Sequence, residues 1–540
     1  MQNKNSLITD SMVNKKLQVW QPLLFSIVMI LGMIIGFNIK NGMPNKGIFF
    51  TEKRKPVQEV LNLIETKYVD EENSDSLGDA AIEAILNKLD PHSVFLPATQ
   101  LQEVREDLQG GFSGIGIEFN TFNDTINVLN VVKNGPADKA GLEIGDKLLK
   151  VGDSTVAGVK ITGDKIKRFL KGNAGSKAYI TILRGNEQKH FTIVRGMIPL
   201  NSLDAAYIIA NNIGYIRLNK FSETTYKEFM DATLKLQKEG MKNMILDLRD
   251  NGGGILTEAT NIADEFLDQD KLITYTEGAH SAKKEYRCQK EGIFEKGKLV
   301  VLANEGTASA SEILIGALQD WDRATIIGRR TFGKGLVQEQ FELNDGSGLR
   351  LTVARYYTPL GRSIQKSYSE GMKHYHDDIL NRLHEGELMF ADSIKHTNAK
   401  AFTTKAGKVV YSGGGITPDI FVSVDTSGFD RIFGKIYLRG TINNFTYNNY
   451  LINKNKLSTY SSPAEFEKNY SVDETTWNNF KTFAAKDSVN LNTINSVEKA
   501  HISKQIKVLT ARIIWRNEGL YEVSNAEDPM VKKALEVLNK

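Results

Sequence analysis

One lysine and two serines in this chain are set where they could do chemistry. Lys334 stands between Gly333 and Gly335 in RRTFGKGLVQ. Flanking glycines let the backbone turn closely, so the ammonium group can point into a site rather than into water. A lysine in a desolvated pocket has a lowered pKa and acts as a general base toward a hydroxyl; a solvated turn is the plainer alternative. Ser309 and Ser311 lie in ANEGTASASEILIGALQD, where a strand runs through small residues into an amphipathic helix. A helix N-terminus favours developing negative charge, although simple N-capping accounts for most serines so placed. The third cluster, DLRDNGGG from Asp247 to Gly254, follows a strand and precedes a helix. Its glycines allow backbone N–H groups to face one point, a candidate oxyanion site. No Gly-Lys-Ser/Thr follows, which excludes a phosphate loop.

The absences narrow the chemistry further. All eight histidines lie outside these clusters, and the chain has neither a G-x-S-x-G elbow nor an H-E-x-x-H pair. An α/β-hydrolase and a zinc peptidase therefore lose support, and a Ser-Lys dyad gains it. The lone cysteine, Cys288, excludes an intramolecular disulfide and a multi-thiolate metal site. With 68 basic residues against 65 acidic ones, net +3, a nucleic-acid partner is not expected.

Positioning these groups takes several domains, since 540 residues exceed one compact core. Apolar residues between Lys55 and Glu106 follow a helical period, interrupted at Asp90-Pro91. After Gly110 come short β-prone runs between glycine-rich turns, a β-rich unit of about 90 residues. From about Ser202 strands alternate with helices, which predicts an α/β layer domain. Beyond Thr426 the chain is polar, mostly helical and without a chemical motif. Near the N-terminus, Leu17 to Ile39 carry no charge, enough for about 34 Å of helix. A single transmembrane signal anchor is expected there, behind a tail at residues 1–16. It places the protein in the cell inner membrane as a single-pass protein whose catalytic domain faces the periplasm or extracytoplasmic side.

SGIGI, Ser113 to Ile117, puts glycines just before a strand, where backbone N–H groups can meet a carboxylate and the strand edge can accept a peptide. With the following GPADKAGL and GDKLLKVGD, this region closely resembles a PDZ domain of bacterial proteases. The resemblance implies capture of C-terminal or extended peptides, with the amides of Ile115, Gly116 and Ile117 facing the carboxylate.

TASASEI, TFGKGLVQ and DLRDNGGG beside such a unit resemble the C-terminal processing peptidases, also called tail-specific proteases. LDPHSVFL, LTVARYYTPLGRSIQ and GGGITPDI extend the resemblance over roughly Lys55 to Asp425. It implies a multidomain α+β protein, with a crotonase/ClpP-like α/β protease core and an inserted β-rich PDZ domain. A helical N-terminal segment and a mostly helical C-terminal extension complete it. The implied divisions are 51–105 for the helical segment, 106–196 for the PDZ domain, 200–425 for the S41-type core and 426–540 for the extension. Carried over residue by residue, the family pattern makes Ser309 the nucleophile, Lys334 the general base and Gln338 the residue that orients the lysine. The N–H groups of Gly254 and Ala310 become the oxyanion donors, and neither a metal nor a cofactor is required. The expected partners are proteins with exposed or unfolded C-terminal tails, the membrane through the anchor, and a second copy or an adaptor lipoprotein. The chain departs from a minimal family member by about 45 residues after GRSIQ and about 115 at the end. The rival readings are a non-catalytic tail-binding scaffold or adaptor and a crotonase-like acyl-CoA enzyme.

Overall fold

The structure is a computed structural model that describes residues 20, 22–36, 56–268, 270–395, 399–425 and 431–540. These group into two units, Met1–Ile82 and Glu83–Lys540. The tail at 1–16 lies outside the described residues, as do 17–19, 21 and 37–39 of the expected anchor.

The anchor expectation is overturned. Residues 22–36 are helical, about 22 Å at 1.5 Å per residue against a hydrocarbon core of about 30 Å. Among the described residues no helix is long and apolar enough to cross a membrane. The single-pass inner-membrane placement through that anchor falls with it.

The larger unit is built on a six-stranded sheet. Leu203–Ala210 pairs antiparallel with Ile213–Leu218, and then Asn243–Asp247, Leu299–Ala303, Thr325–Gly328 and Ile420–Phe421 follow in parallel. Alternation along the strands builds a core on each face. Met244, Leu246, Val301 and Ala303 pack toward the helices Thr225–Lys238, Leu256–Asp264 and Ala310–Asp320. Ile245, Val300 and Leu302 turn the other way, onto Met530, Val531, Ala534 and Leu538 of the last helix, Pro529–Asn539.

A second sheet carries the site's far wall. Its longest strand, Gly348–Tyr357, pairs with Leu336–Glu342 and with Val94–Leu96. Val94–Leu96 belongs to the LDPHSVFL string, so the segment expected to be helical contains a strand. Asp90 holds the turn before it, accepting from the N–H of His92 and both the N–H and hydroxyl of Ser93. A hydrophobic period cannot announce a strand of three residues fixed by such a turn.

The β-rich unit is a separate six-stranded sheet with its own core around Ile126, Val128, Leu148, Ile166 and Ile180. The chain enters it through Gly111–Gly114 and leaves through Gly196–Pro199, and these two segments pair antiparallel as a two-stranded neck.

The C-terminal extension is an internal brace. Its long helix, Ser496–Asn525, breaks at Arg516, whose φ of 59° and ψ of −142° are non-helical. Before the break its bundle touches the β-rich unit, where the Tyr447 hydroxyl donates to the Val128 carbonyl at 3.0 Å and Arg516 pairs with Glu118. After the break it touches the core: Asn517 donates to Asp204 at 2.6 Å, and Asn525 donates to the Tyr207 hydroxyl at 2.9 Å.

Candidate active site

Ser309 caps the helix Ala310–Asp320 in a strained backbone conformation, φ 57° and ψ −117°. A non-glycine residue pays for such a conformation and keeps it only where neighbours over-determine it. The neighbours here are the glycines of DLRDNGGG. A Cβ on Gly253, itself at φ 93°, would stand 2.7 Å from the Ser309 Cβ and 2.8 Å from the Ala310 nitrogen. Asn251 ties the two turns together. Its carbonyl accepts from the Ala308 N–H and the Ser311 hydroxyl, both at 3.0 Å, and its side-chain oxygen accepts from the Gly253 N–H at 2.9 Å. The role of Ser311 is therefore structural.

The Lys334 turn is pinned to the Ser309 turn by two side chains. The fully buried Glu312 carboxylate accepts the N–H groups of Ser309, Gly333 and Lys334 at 2.8, 2.8 and 2.9 Å, and the Thr331 hydroxyl at 2.5 Å. The buried Tyr356 hydroxyl also joins the two turns, 3.1 Å from the Ser309 carbonyl and 2.5 Å from the Lys334 carbonyl, with one proton to share between them. Burial pushes the Glu312 carboxyl up to about 7 against the pull of its four donors. Arg382, from the 45-residue insertion, braces the lysine turn further by donating to the carbonyls of Arg330, Thr331 and Gly414.

Lys334 itself is pushed down to about 8, first by burial and then by the Arg350 charge, with Glu312 and Asp90 pulling the other way. About a tenth of it is then neutral at pH 7, and most of it above pH 8, the form a general base requires.

A cavity of about 400 Å³ is lined by Ser309, Lys334, Gln338, Gly254 and Ala310 together, along with Tyr356 and Arg350. All five residues expected for a dyad site thus share one cavity. Ala310 opens its helix, where N–H groups have no intrahelical acceptor. At Gly254, φ 144°, a Cβ would come within 2.1 Å of the Phe221 carbonyl oxygen. That carbonyl accepts from the Ile255 N–H rather than from Gly254. The Gln338 side-chain amide donates to the Thr352 hydroxyl at 3.3 Å, which donates to Asp90 at 3.0 Å. This chain joins the LDPHSVFL turn to the site. His92 beside it is pushed down to about 4 by burial and then by the Lys334 charge, and bonds the Tyr375 hydroxyl at 2.7 Å.

Ile115, Gly116 and Ile117 lie outside this cavity, in the β-rich unit. The Ile115 carbonyl accepts from Ala137 and the Gly116 carbonyl from Val132. The strand Ile117–Phe122 that follows is at the end of its sheet. Asp247 and Arg249 sit behind the glycine turn: Arg249 bonds Asp247 at 2.6 Å and Asp528 of the extension at 2.7 Å. Cys288 is buried among apolar residues, and burial pushes its thiol up to about 12, far from nucleophilic use.

Sequence reasoning missed Glu312, Tyr356 and Arg350. Glu312 had a readable signal, because it stands three residues after Ser309, the capping-box spacing. Tyr356 and Arg350 had none, since their roles depend on which strand lies across from the helix.

Comparison with known proteins bears on the same segments. Peptidase family S41 matches residues 212–373, the PDZ domain family 113–194 and a family of unknown function 432–516. A CtpA-like serine protease of Staphylococcus haemolyticus is 33% identical over 366 residues, 66% of this chain and 73% of that protein. One from Staphylococcus aureus is 35% identical over 320 residues, 59% of this chain and 63% of that protein. Among solved structures, the photosystem II D1 C-terminal processing protease is 26% identical, covering 68% of this chain and 92% of its own, with a TM-score of 0.34.

Proposed function

Because the chain belongs to peptidase family S41 and is a PDZ-containing serine peptidase of the C-terminal processing type, we propose that Ser309 is its nucleophile and Lys334 its general base. Neutral Lys334 takes the Ser309 proton, and the alkoxide attacks a peptide carbonyl. The Gly254 and Ala310 N–H groups hold the oxyanion of the tetrahedral intermediate. The protonated lysine then gives its proton to the leaving amine, which departs with the C-terminal fragment. A water deprotonated by the same lysine releases the acyl group and restores Ser309. Gln338 keeps its side-chain oxygen for the lysine while its nitrogen is anchored on Thr352.

Substrates are proteins with exposed or unfolded C-terminal tails. The amides of Ile115, Gly116 and Ile117 take the terminal carboxylate, and the edge strand Ile117–Phe122 takes the tail by β-addition. Tail capture in this way raises the local concentration of the segment to be cut. The same reading divides the chain into a helical segment at 51–105, PDZ domain at 106–196, peptidase core at 200–425 and helical extension at 426–540.

The observation that carries the proposal is the single cavity lined by serine, lysine and both candidate oxyanion residues. The test is cleavage of an unstructured protein with an apolar C-terminus by the full chain, beside Ser309→Ala and Lys334→Ala. Loss of cleavage in both variants is expected. Cleavage surviving in either variant would remove that residue from the mechanism, and tail binding without cleavage by the unmutated chain would favour the scaffold reading.

A further inference from the structure

Arg350 lines the same cavity as Ser309 and Lys334. It is half-buried, and among the described residues its guanidinium has neither an ion-pair nor a hydrogen-bond partner. No acidic side chain among the described residues pairs with it, although Glu339 also lines the cavity. Arg350 is in register with Gln340, so the side chains of Gln338, Gln340 and Glu342 share its face of the two paired strands while Glu339 belongs to the other. The acid on its own face, Glu342, is taken by Arg105 at 2.8 Å. Asp90, across the third strand, already accepts from His92, Ser93 and Thr352. A guanidinium is the side chain best shaped for a planar, two-oxygen anion. Leaving one partly desolvated and unpaired in a cleft is unfavourable unless something arrives to pair with it.

We propose that Arg350 is a specificity-determining residue that binds a carboxylate of the substrate during cleavage, several residues from the scissile bond. The spacing follows from the strand. Arg350 and Tyr356 both line the cavity and are six residues apart along the strand, across a register shift, so at most about 20 Å separates them at about 3.3 Å per residue, and Tyr356 marks the dyad. An extended substrate along this wall reaches Arg350 with a group roughly three to six residues from the bond being cut. Two sources supply such a carboxylate: the terminal carboxylate of a short tail, or an Asp or Glu side chain within it. This inference rests on the Ser309–Lys334 reading of the cavity.

The test uses the full chain and four series of fluorogenic peptides sharing one cleavable bond. The first two end in a free carboxylate or an amide at spacings of about three to six residues. The other two place Glu or Gln at those positions in amidated peptides. The readout is the ratio of kcat/KM between charged and neutral partners within each enzyme variant, so a general change in rate cancels. In the unmutated chain the charged member is expected to win by on the order of tenfold at one spacing, the scale of a charge-assisted hydrogen bond. Arg350→Gln brings that ratio to about one, Arg350→Lys keeps part of it, and Arg350→Glu reverses it in favour of the neutral partner. A preference in the first pair assigns the terminal carboxylate, and one in the second pair the side chain. No preference at any spacing, or a preference unchanged in Arg350→Gln, overturns the proposal. Ser309→Ala is run alongside: peptide cleavage that survives it faults the dyad reading, while the ratios still report on Arg350.

Discussion

Glu312 follows Ser309 by three residues, and its carboxylate accepts the Ser309 N–H at 2.8 Å while also accepting the N–H of Lys334 at 2.9 Å. One buried side chain thereby sets the separation of the proposed nucleophile and base. Replacing it by alanine leaves three backbone donors and a hydroxyl unsatisfied, at about 1–3 kcal/mol for each group that water cannot reach. Glu312→Ala is therefore expected to be severely destabilised in denaturant unfolding and inactive. Glu312→Gln, which keeps one acceptor oxygen, should fold and retain a small part of kcat. An active, stable Glu312→Ala protein would remove Glu312 from the positioning of the dyad.

The pH dependence follows from Lys334. The general base must be neutral, and burial with the Arg350 charge brings its pKa down to about 8. Below that value kcat/KM for a neutral peptide is expected to fall about tenfold per pH unit, and above it to level off. Removing the Arg350 charge in Arg350→Gln removes a like charge that favoured the neutral amine, so the midpoint should move to higher pH. A profile flat from pH 6 to 9 would argue against lysine as the base.

Gly253 tests the contact between the glycine turn and the nucleophile turn. A methyl there meets the Ser309 Cβ, the Ala308 carbonyl and the Ala310 nitrogen at 2.7–2.8 Å, at a φ that already disfavours alanine. Gly253→Ala is expected to displace the proposed oxyanion donors and lower kcat about a hundredfold or more, the usual effect of losing one donor. KM for tail-bearing proteins should change far less, because the β-rich unit is untouched.

Asp528 joins the C-terminal extension to the core. It pairs with Arg249 at 2.7 Å and caps the last helix through the N–H groups of Met530 and Val531. Asp528→Ala should lower stability by about 1–3 kcal/mol, the loss of a cap and of a bond to a charged group. Deleting residues 526–540 would bare Ile245, Val300 and Leu302 on the sheet, and the truncated protein is expected in the insoluble fraction on expression.

The local chemistry was legible in the sequence. Gly333 beside Lys334, and Gly253 and Gly254 in the glycine run, report backbone conformations that other residues resist, and the small residues around Ser309 mark the strand-to-helix turn. Alternation of strands and helices after Ser202 announced the layered core, because each period is written in consecutive residues. The apolar run at 17–39 misled, since the absence of charge over a segment does not by itself establish a membrane-crossing helix. The described helix at 22–36 is too short for the span expected there.

Only the tertiary structure decided how these turns face one another. The sequence by itself determined the residues able to attack, to take a proton and to expose N–H groups. The fold determined that Glu312 and Tyr356 both clamp the two turns, that Thr352 and Asp90 anchor Gln338, and that Arg350 lines the cavity without a partner among the described residues. It also turned the apparently featureless extension into a brace across the core and the β-rich unit. These contacts join residues far apart in the chain, from Asp90 to Thr352 and from Arg249 to Asp528. No local periodicity encodes such pairs, because they arise from packing complementarity between elements rather than from the conformational preferences of neighbouring residues.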